Sequence, residues 1–169
     1  MKGYKYNRIL ILGDSGRGKS TFAERLSKKI GIPCYSTDDF YFKVKFSVVN
    51  DKEKSVEEIS HIYKQDEWIV EGTTRRLILE GLERADVIYL LKFRNIVSQY
   101  FSLIKRNIMR KNESISGLFQ LLKHVTYKKY KKGYGGSIPS LESILEPYKD
   151  KIIMLDSIKE MDRYLESIG

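Results

Sequence analysis

The sequence has a single cysteine, Cys34, among its 169 residues. One thiol can form neither an intramolecular disulfide nor a zinc cage of several thiolates, so a reducing cytoplasm is the expected compartment. Histidine is scarce as well: His61 and His124 stand in no ligand-type spacing and read as surface or helix residues. Long apolar runs are missing. A typical stretch, "VIYLL" at 87–91, falls far short of the ~20 residues that a membrane helix needs, so no membrane partner is expected. The opening segment "MKGYKYNR" is polar and has no signal-type apolar core, which again points to the cytoplasm. Internal repeats and low-complexity tracts are also lacking. An ordinary apolar content of 41% over this length suits one compact domain, 1–169, as a monomer or homodimer.

Acidic residues are short in one place. Between positions 105 and 132, nine Lys/Arg face one acid, Glu113, so that segment carries +8 of the chain's formal +9. Such a stretch expects an anion or tolerates being a basic surface.

What is present alternates between two periods. "RILIL" (8–12) is a continuous apolar run, as in a strand buried on both faces. Phe22, Ala23, Leu26 and Ile30 recur at helical spacing, and Gly31 and Pro33 end that helix. "PCYS" (33–36) is a short second strand. Residues 51–65 form a helix with Val56, Ile59, Ile62 and Tyr63 on one face. "EWIVEG" (67–72) is a third strand, followed by a helix over about 75–82, and "DVIYLL" (86–91) is a fourth. Helices are expected over 94–111 and 115–132, then a flexible "GYGGSIP" (133–139) and a helix near 140–148. "KIIML" (151–155) is a fifth strand, with a closing helix over 157–168. Strands alternating with helices predict crossover units and a mainly parallel sheet, which binds ligands outside the carboxyl ends of its strands. Asp38, Glu71 and the loop after Leu12 all fall at such ends.

That loop, "GDSGRGKS" (13–20), matches G-x-x-x-x-G-K-[ST] in full, between a buried-type strand and an amphipathic helix. Gly13, Gly16 and Gly18 let the backbone curl so that its N–H groups point at phosphate oxygens. The helix behind them aims its positive end at the same place. Lys19 can reach the β- and γ-phosphates, and the Ser20 hydroxyl can take a Mg²⁺ position. The expected nucleotide contacts are Gly13, Asp14, Ser15, Gly16, Arg17, Gly18, Lys19, Ser20 and Thr21, with ATP and Mg²⁺ as cofactors.

"GDSGRGKST" followed by "GIPCYSTDDF" resembles the small P-loop kinases: adenylate-kinase-like enzymes, shikimate and gluconate kinases, and uridine-type nucleoside kinases. "DDFY" (38–41) is similar to the acidic motif after the second strand of uridine-kinase-like enzymes. "WIVEG" (68–72), "ADVIYLL" (85–91) and then spaced arginines resemble a bacterial group labelled adenylate-kinase-like or topology modulation proteins. The resemblance implies a three-layer α/β fold with a five-stranded parallel sheet in the order 2-3-1-4-5, helices on both faces and a helical lid, here about 105–138.

Two adjacent carboxylates beside apolar surface are costly unless something positive or a donor meets them. Beside a phosphate loop, Asp38 can hold a Mg²⁺-bound water or accept the proton of an attacking hydroxyl, with Asp39 as the alternate. Alternatively, Asp38 caps the next helix and Asp39 is solvated. Phe40, Tyr41 and Phe42 either wall a pocket or belong to the core, and Trp68 reads as core. Glu71 can meet acceptor hydroxyls or a Mg²⁺-bound water, or be a turn carboxylate before Gly72. Thr73, Thr74, Arg75 and Arg76 follow, and Arg75 resembles an acceptor anchor. Asp156, after the fifth strand, is not assigned to Mg²⁺, because the resemblance places a nucleotide-base loop there.

Phosphoryl transfer needs cations over the transferred group. By resemblance these are lid arginines: Arg106 and Arg110, one helical turn apart, and then Arg94. They can equally be a solvated basic face. The Lys-rich helix carrying Tyr127, Tyr130 and Tyr134 can grip a nucleic acid, extend the lid on a Gly133/Gly135/Gly136 hinge, or be plain surface. The expected activity is therefore Mg-ATP-dependent phosphoryl transfer to a small acceptor, a nucleoside or nucleotide. The rival is a nucleic-acid-associated NTP-binding protein or polynucleotide-end kinase. The sequence lacks a cysteine-based lid zinc site, and it has "EGTTRR" where deoxynucleoside kinases carry an acidic-arginine pair. The acceptor is thus not named.

Overall fold

The computed structural model describes residues 4–44, 48–92, 100, 104 and 140–168. Of the helix expected at 94–111 only residues 100 and 104 are described, both helical, and the segments expected at 115–132 and 133–139 lie outside the described residues. With them go Arg94, Arg106, Arg110, His124, the three tyrosines and the whole basic stretch.

Five strands make one parallel sheet: β1 (Arg8–Gly13), β2 (Cys34–Ser36), β5 (Trp68–Glu71), β6 (Val87–Leu91) and β7 (Ile152–Leu155). Their order is β2-β5-β1-β6-β7, which is the expected 2-3-1-4-5 counted over these strands alone. β1 lies at the centre because its run is apolar on both faces. Leu10 and Leu12 join a core with Ile59 and Tyr63 of α3 (Lys52–Tyr63), Leu77, Ile78 and Leu82 of α4 (Arg75–Arg84), and Leu141 and Leu145 of α5 (Leu141–Leu145). Ile9 and Ile11 point the other way, onto Phe22, Ala23 and Leu26 of α1 (Lys19–Ile30) and Met161 and Leu165 of α6 (Ile158–Ser167). The result is the three-layer α/β arrangement, with hydrophobic burial on both sheet faces as its main driving force.

Local chemistry sets the element ends. α1 stops at Gly31, in the left-handed region at φ 80°, whose N–H donates to Ser27 O. α5 ends at Leu145, and a 3₁₀ segment, Glu146–Lys151, takes the rest of the expected 140–148 helix. Pro147 sits in its first turn, where a missing N–H costs least. α6 opens on a variant of the capping box: Ser157 Oγ accepts from Glu160 N at 3.1 Å, and Glu160 Oε2 accepts at 2.7 Å from the N–H of Asp156, one residue before the N-cap.

Three details depart from the expectations. Between β2 and α3 the chain forms a short helix, α2 (Thr37–Tyr41), and an antiparallel pair, β3 (Phe42–Val44) with β4 (Val48–Val49). On α3 the inward face is Ser55, Ile59 and Tyr63, and Val56 is exposed. Ser55 turns inward because its hydroxyl is satisfied there, against Phe40 O at 2.9 Å and Asp51 O at 2.7 Å, which ties α3 to α2. Phe40 and Tyr41 pack against the core, and Trp68 is fully buried in it.

At the end of the sheet opposite the strands' carboxyl termini, Asp86 binds Arg8 through Nε at 3.1 Å and Nη2 at 2.7 Å. It also accepts the backbone N–H groups of Arg8 and Asn7. Burial pushes its carboxyl up, but these bonds outweigh burial and hold it below the usual carboxylate value. A depressed folded value means that the stabilisation is complete above the unfolded value near ~4 and fades as pH falls through the folded one. Asp86→Asn should therefore cost about 1 kcal/mol at neutral pH, allowing for partial exposure. In urea unfolding, the gap to wild type should begin to narrow below about pH 4 and close only below the lower folded value.

Candidate functional site

Three neighbouring strands end together. The register sets Ser36 beside Glu71 and Glu71 beside Ile11, and the Gly72 N–H donates to Ile11 O at 3.1 Å. The expected convergence of the phosphate-type loop, Asp38 and Glu71 is therefore met in space.

The loop leaves β1 through Gly13, where close packing leaves no room for a side chain: a Cβ would stand 1.9 Å from Leu91 O. The Asp14 N–H donates to that same carbonyl at 2.9 Å. Gly16 and Gly18 take φ values of 79° and 87°, the left-handed region where glycine is unstrained. The Gly18 carbonyl accepts from Phe22 N, so the helix starts directly behind the loop. Lys19 Nζ donates to Gly13 O at 3.2 Å and Asp14 O at 3.1 Å. Neutral carbonyls are weaker partners for an ammonium than phosphate oxygens, so these contacts leave Lys19 able to turn to an anion.

Ser20, the next residue of α1, donates its hydroxyl to Glu71 Oε1 at 2.9 Å, and Ser36 donates to the same oxygen at 2.8 Å. Glu71 is only 5% exposed, so these two donors offset part of its desolvation. Ser36 is also the N-cap of α2, its Oγ accepting from Asp38 N at 3.3 Å. Asp38 therefore does not cap α2. Asp38 and Asp39 occupy the first turn, where the helix dipole favours negative charge and eases their adjacency. Asp38 is half-buried and Asp39 exposed.

Thr37 is fully buried against Gly72, where a Cβ would lie 1.8 Å from the Thr37 Oγ1 and φ is 139°. Gly72→Ala should cost roughly 2–4 kcal/mol in denaturant unfolding, through overpacking and backbone strain together. Beyond Gly72, Arg75 and Arg76 open α4, with Arg75 half-buried and Arg76 exposed. The helix has no side-chain cap and no acid in its first turn, so its N-terminal N–H groups and these two arginines bring positive charge to this side of the crevice.

Sequence reasoning missed the structural part played by Ser36, which was legible as a cap-type residue two positions before an acid. It also missed the burial of Arg17. Desolvation pushes that guanidinium below its ordinary value, and the carboxylates of Asp14, Asp156 and Glu160 pull it part-way back, so the loop faces the β7–α6 turn. Burial, followed by Glu71, Glu24 and Asp39, pushes the Cys34 thiol up to about 12, which disfavours the thiolate.

The residues fit a nucleotide-bound Mg²⁺. Among the described residues no cluster of three or more His, Cys, Asp or Glu can hold a metal by itself. The hydroxyl of Ser20 and the carboxylates of Asp38 and Glu71 are hard oxygen donors, as Mg²⁺ prefers, to be completed by water and phosphate oxygens. No described helix is long and apolar enough to cross a membrane.

No family model matches the chain. The curated proteins it matches are adenylate kinases. One, from Thermosipho melanesiensis, is 33% identical over 78 residues, which is 46% of this chain and 35% of that one. The chain spans only 20 to 40% of the length of these relatives. Solved structures match over nearly the whole chain. Shikimate kinase from Acinetobacter baumannii in complex with shikimate aligns at a TM-score of 0.54 and 15% identity, over 97% of this chain and 91% of that one. A gluconokinase from Sinorhizobium meliloti 1021 aligns at 0.53 and 13% identity, over 96% and 95%. The fold is that of the small P-loop kinases.

Proposed function

We propose that this chain is a Mg-ATP-dependent phosphotransferase acting on a small-molecule acceptor, a nucleoside or nucleotide. What carries the reading is one geometry: the 13–20 loop, with its left-handed glycines and Lys19, beside Ser20, Glu71 and the Asp38 turn.

In this reading the loop amides and Lys19 bind the β- and γ-phosphates, and Ser20, with Asp38 close by, would hold Mg²⁺. The chemistry Mg²⁺ supplies is charge neutralisation across the phosphate oxygens. An acceptor hydroxyl, lined up behind the γ-phosphorus, forms the new P–O bond while the bond to the ADP oxygen breaks, and the hydroxyl proton passes to Asp38. Where the acceptor is itself a phosphate, it arrives ionised, no proton passes to Asp38, and the proposed cations, Arg75 among them, orient it. Glu71, Gly72, Arg75 and Asp39 border the acceptor side. Arginines 94, 106 and 110 are the proposed cations over the transferred group. The adenylate kinase relatives favour a nucleotide acceptor, and the shikimate and gluconate kinase neighbours make hydroxy acids the next class to try.

The test is an ADP-release screen over nucleosides, nucleotides, shikimate, gluconate and short oligonucleotides. Acceptor-dependent ADP release with a small molecule is the expected result. Nucleotide binding with no acceptor-dependent release, together with salt-sensitive retention on random DNA, would contradict it and favour a nucleic-acid-associated role for the 105–132 segment.

A further inference from the structure

Resting on the kinase reading, we infer that Ser36 is a positioning residue: through Glu71 it ties the turn that carries Asp38 to the Ser20 end of the phosphate loop. The direction of each hydrogen bond is fixed by chemistry. A carboxylate only accepts and a backbone N–H only donates. The Ser36 hydroxyl has one proton, which goes to Glu71 Oε1 at 2.8 Å, so a lone pair is left to accept Asp38 N at 3.3 Å. Ser20 reaches the same Oε1 at 2.9 Å. The chain therefore runs from the Asp38 amide to Ser36, from Ser36 to Glu71, and meets Ser20 there.

Three observations make this more than an ordinary cap. α2 has five residues, too few to hold its direction by helix propensity. Its first residue, Thr37, is wedged against Gly72 with no side-chain hydrogen bond among the described residues. Glu71, whose Oε1 anchors Ser36, is only 5% exposed, and a partly buried setting strengthens linked hydrogen bonds. Ser20 can keep its proton on Glu71 while its lone pairs face a cation, so nucleotide binding leaves the link intact. The same carboxylate then sets both the metal-side hydroxyl and the aim of Asp38.

Ser36→Gly removes the hydroxyl while keeping a residue that N-caps tolerate, and Ser36→Thr keeps the hydroxyl. The expected result for Ser36→Gly is a kcat lower by roughly ten- to hundred-fold. Its ATP affinity, read by calorimetry, and its KM for ATP should stay within about three-fold of wild type, because the loop amides are untouched. Ser36→Thr should restore most of kcat. In protein without nucleotide, amide exchange at Asp38 should quicken about ten-fold or more in Ser36→Gly, while exchange at Phe22, which donates to Gly18 O, stays unchanged. A wild-type kcat in Ser36→Gly, an ATP affinity that falls as far as kcat does, or a Ser36→Thr no better than Ser36→Gly would overturn the assignment. If wild type transfers phosphate to no acceptor, the kinase reading fails by itself. The link is then judged on exchange alone, and an unchanged Asp38 rate in Ser36→Gly sinks it.

Discussion

Lys19→Ala should lower ATP affinity by roughly a hundred- to thousand-fold while leaving the fold intact. The ammonium gives the phosphates charge-assisted hydrogen bonds, and two such bonds at about 1.5–2 kcal/mol each account for a loss of that size. The fold survives because the Lys19 side chain is half-exposed on the loop, outside both apolar cores, where it donates to the carbonyls of Gly13 and Asp14. Stability in buffer should fall by no more than about 1 kcal/mol, the value of an ordinary hydrogen bond. Thermal unfolding separates the two effects. At ATP one hundred times Kd, wild type gains about 2.7 kcal/mol by mass action, and Lys19→Ala should gain almost none. Equal ATP-induced shifts in both proteins would show that Lys19 does not touch the nucleotide.

The second large effect is expected at Asp38. Asp38→Asn keeps size, polarity and the amide that donates to Ser36 Oγ, so α2 and its cap remain. With a hydroxyl acceptor, what it removes is the ability to take a proton, worth roughly a hundred- to ten-thousand-fold in rate for a general base. ATP affinity should stay within about three-fold, because phosphate binding rests on the loop and Lys19. Asp39→Asn, at an exposed position, should cost less than ten-fold. Full activity of Asp38→Asn with a hydroxyl acceptor that wild type uses would remove Asp38 from the base role. A larger loss in Asp39→Asn would transfer that role to its neighbour.

These two residues also show how far the sequence could be read. Lys19 sits in a motif whose spacing is set by backbone geometry, so Gly16 and Gly18 announce their left-handed φ values before any fold is seen. Strand β1 was equally plain, because a strand covered on both faces must be apolar throughout. Asp38 was visible as a charge but not as a first-turn residue. A five-residue helix shows less than two turns of periodicity, and β3 and β4 are too short to alternate convincingly. Val56 was expected to face inward from its hydrophobicity, and Ser55 took that place because carbonyls of Phe40 and Asp51 wait for its hydroxyl. A pattern of apolar residues carries no information about such partners. The link between Ser20, Glu71 and Ser36 joins residues far apart in the chain, and only the strand order brings them together.

The most direct test is titration calorimetry of the purified wild-type chain with ATP and with GTP in the presence of Mg²⁺. Saturable binding of one nucleotide per chain, abolished or greatly weakened in Lys19→Ala, is the predicted result. A folded protein that gives no binding heat with either nucleotide, at any temperature tried and up to millimolar concentration, would contradict the account at its root.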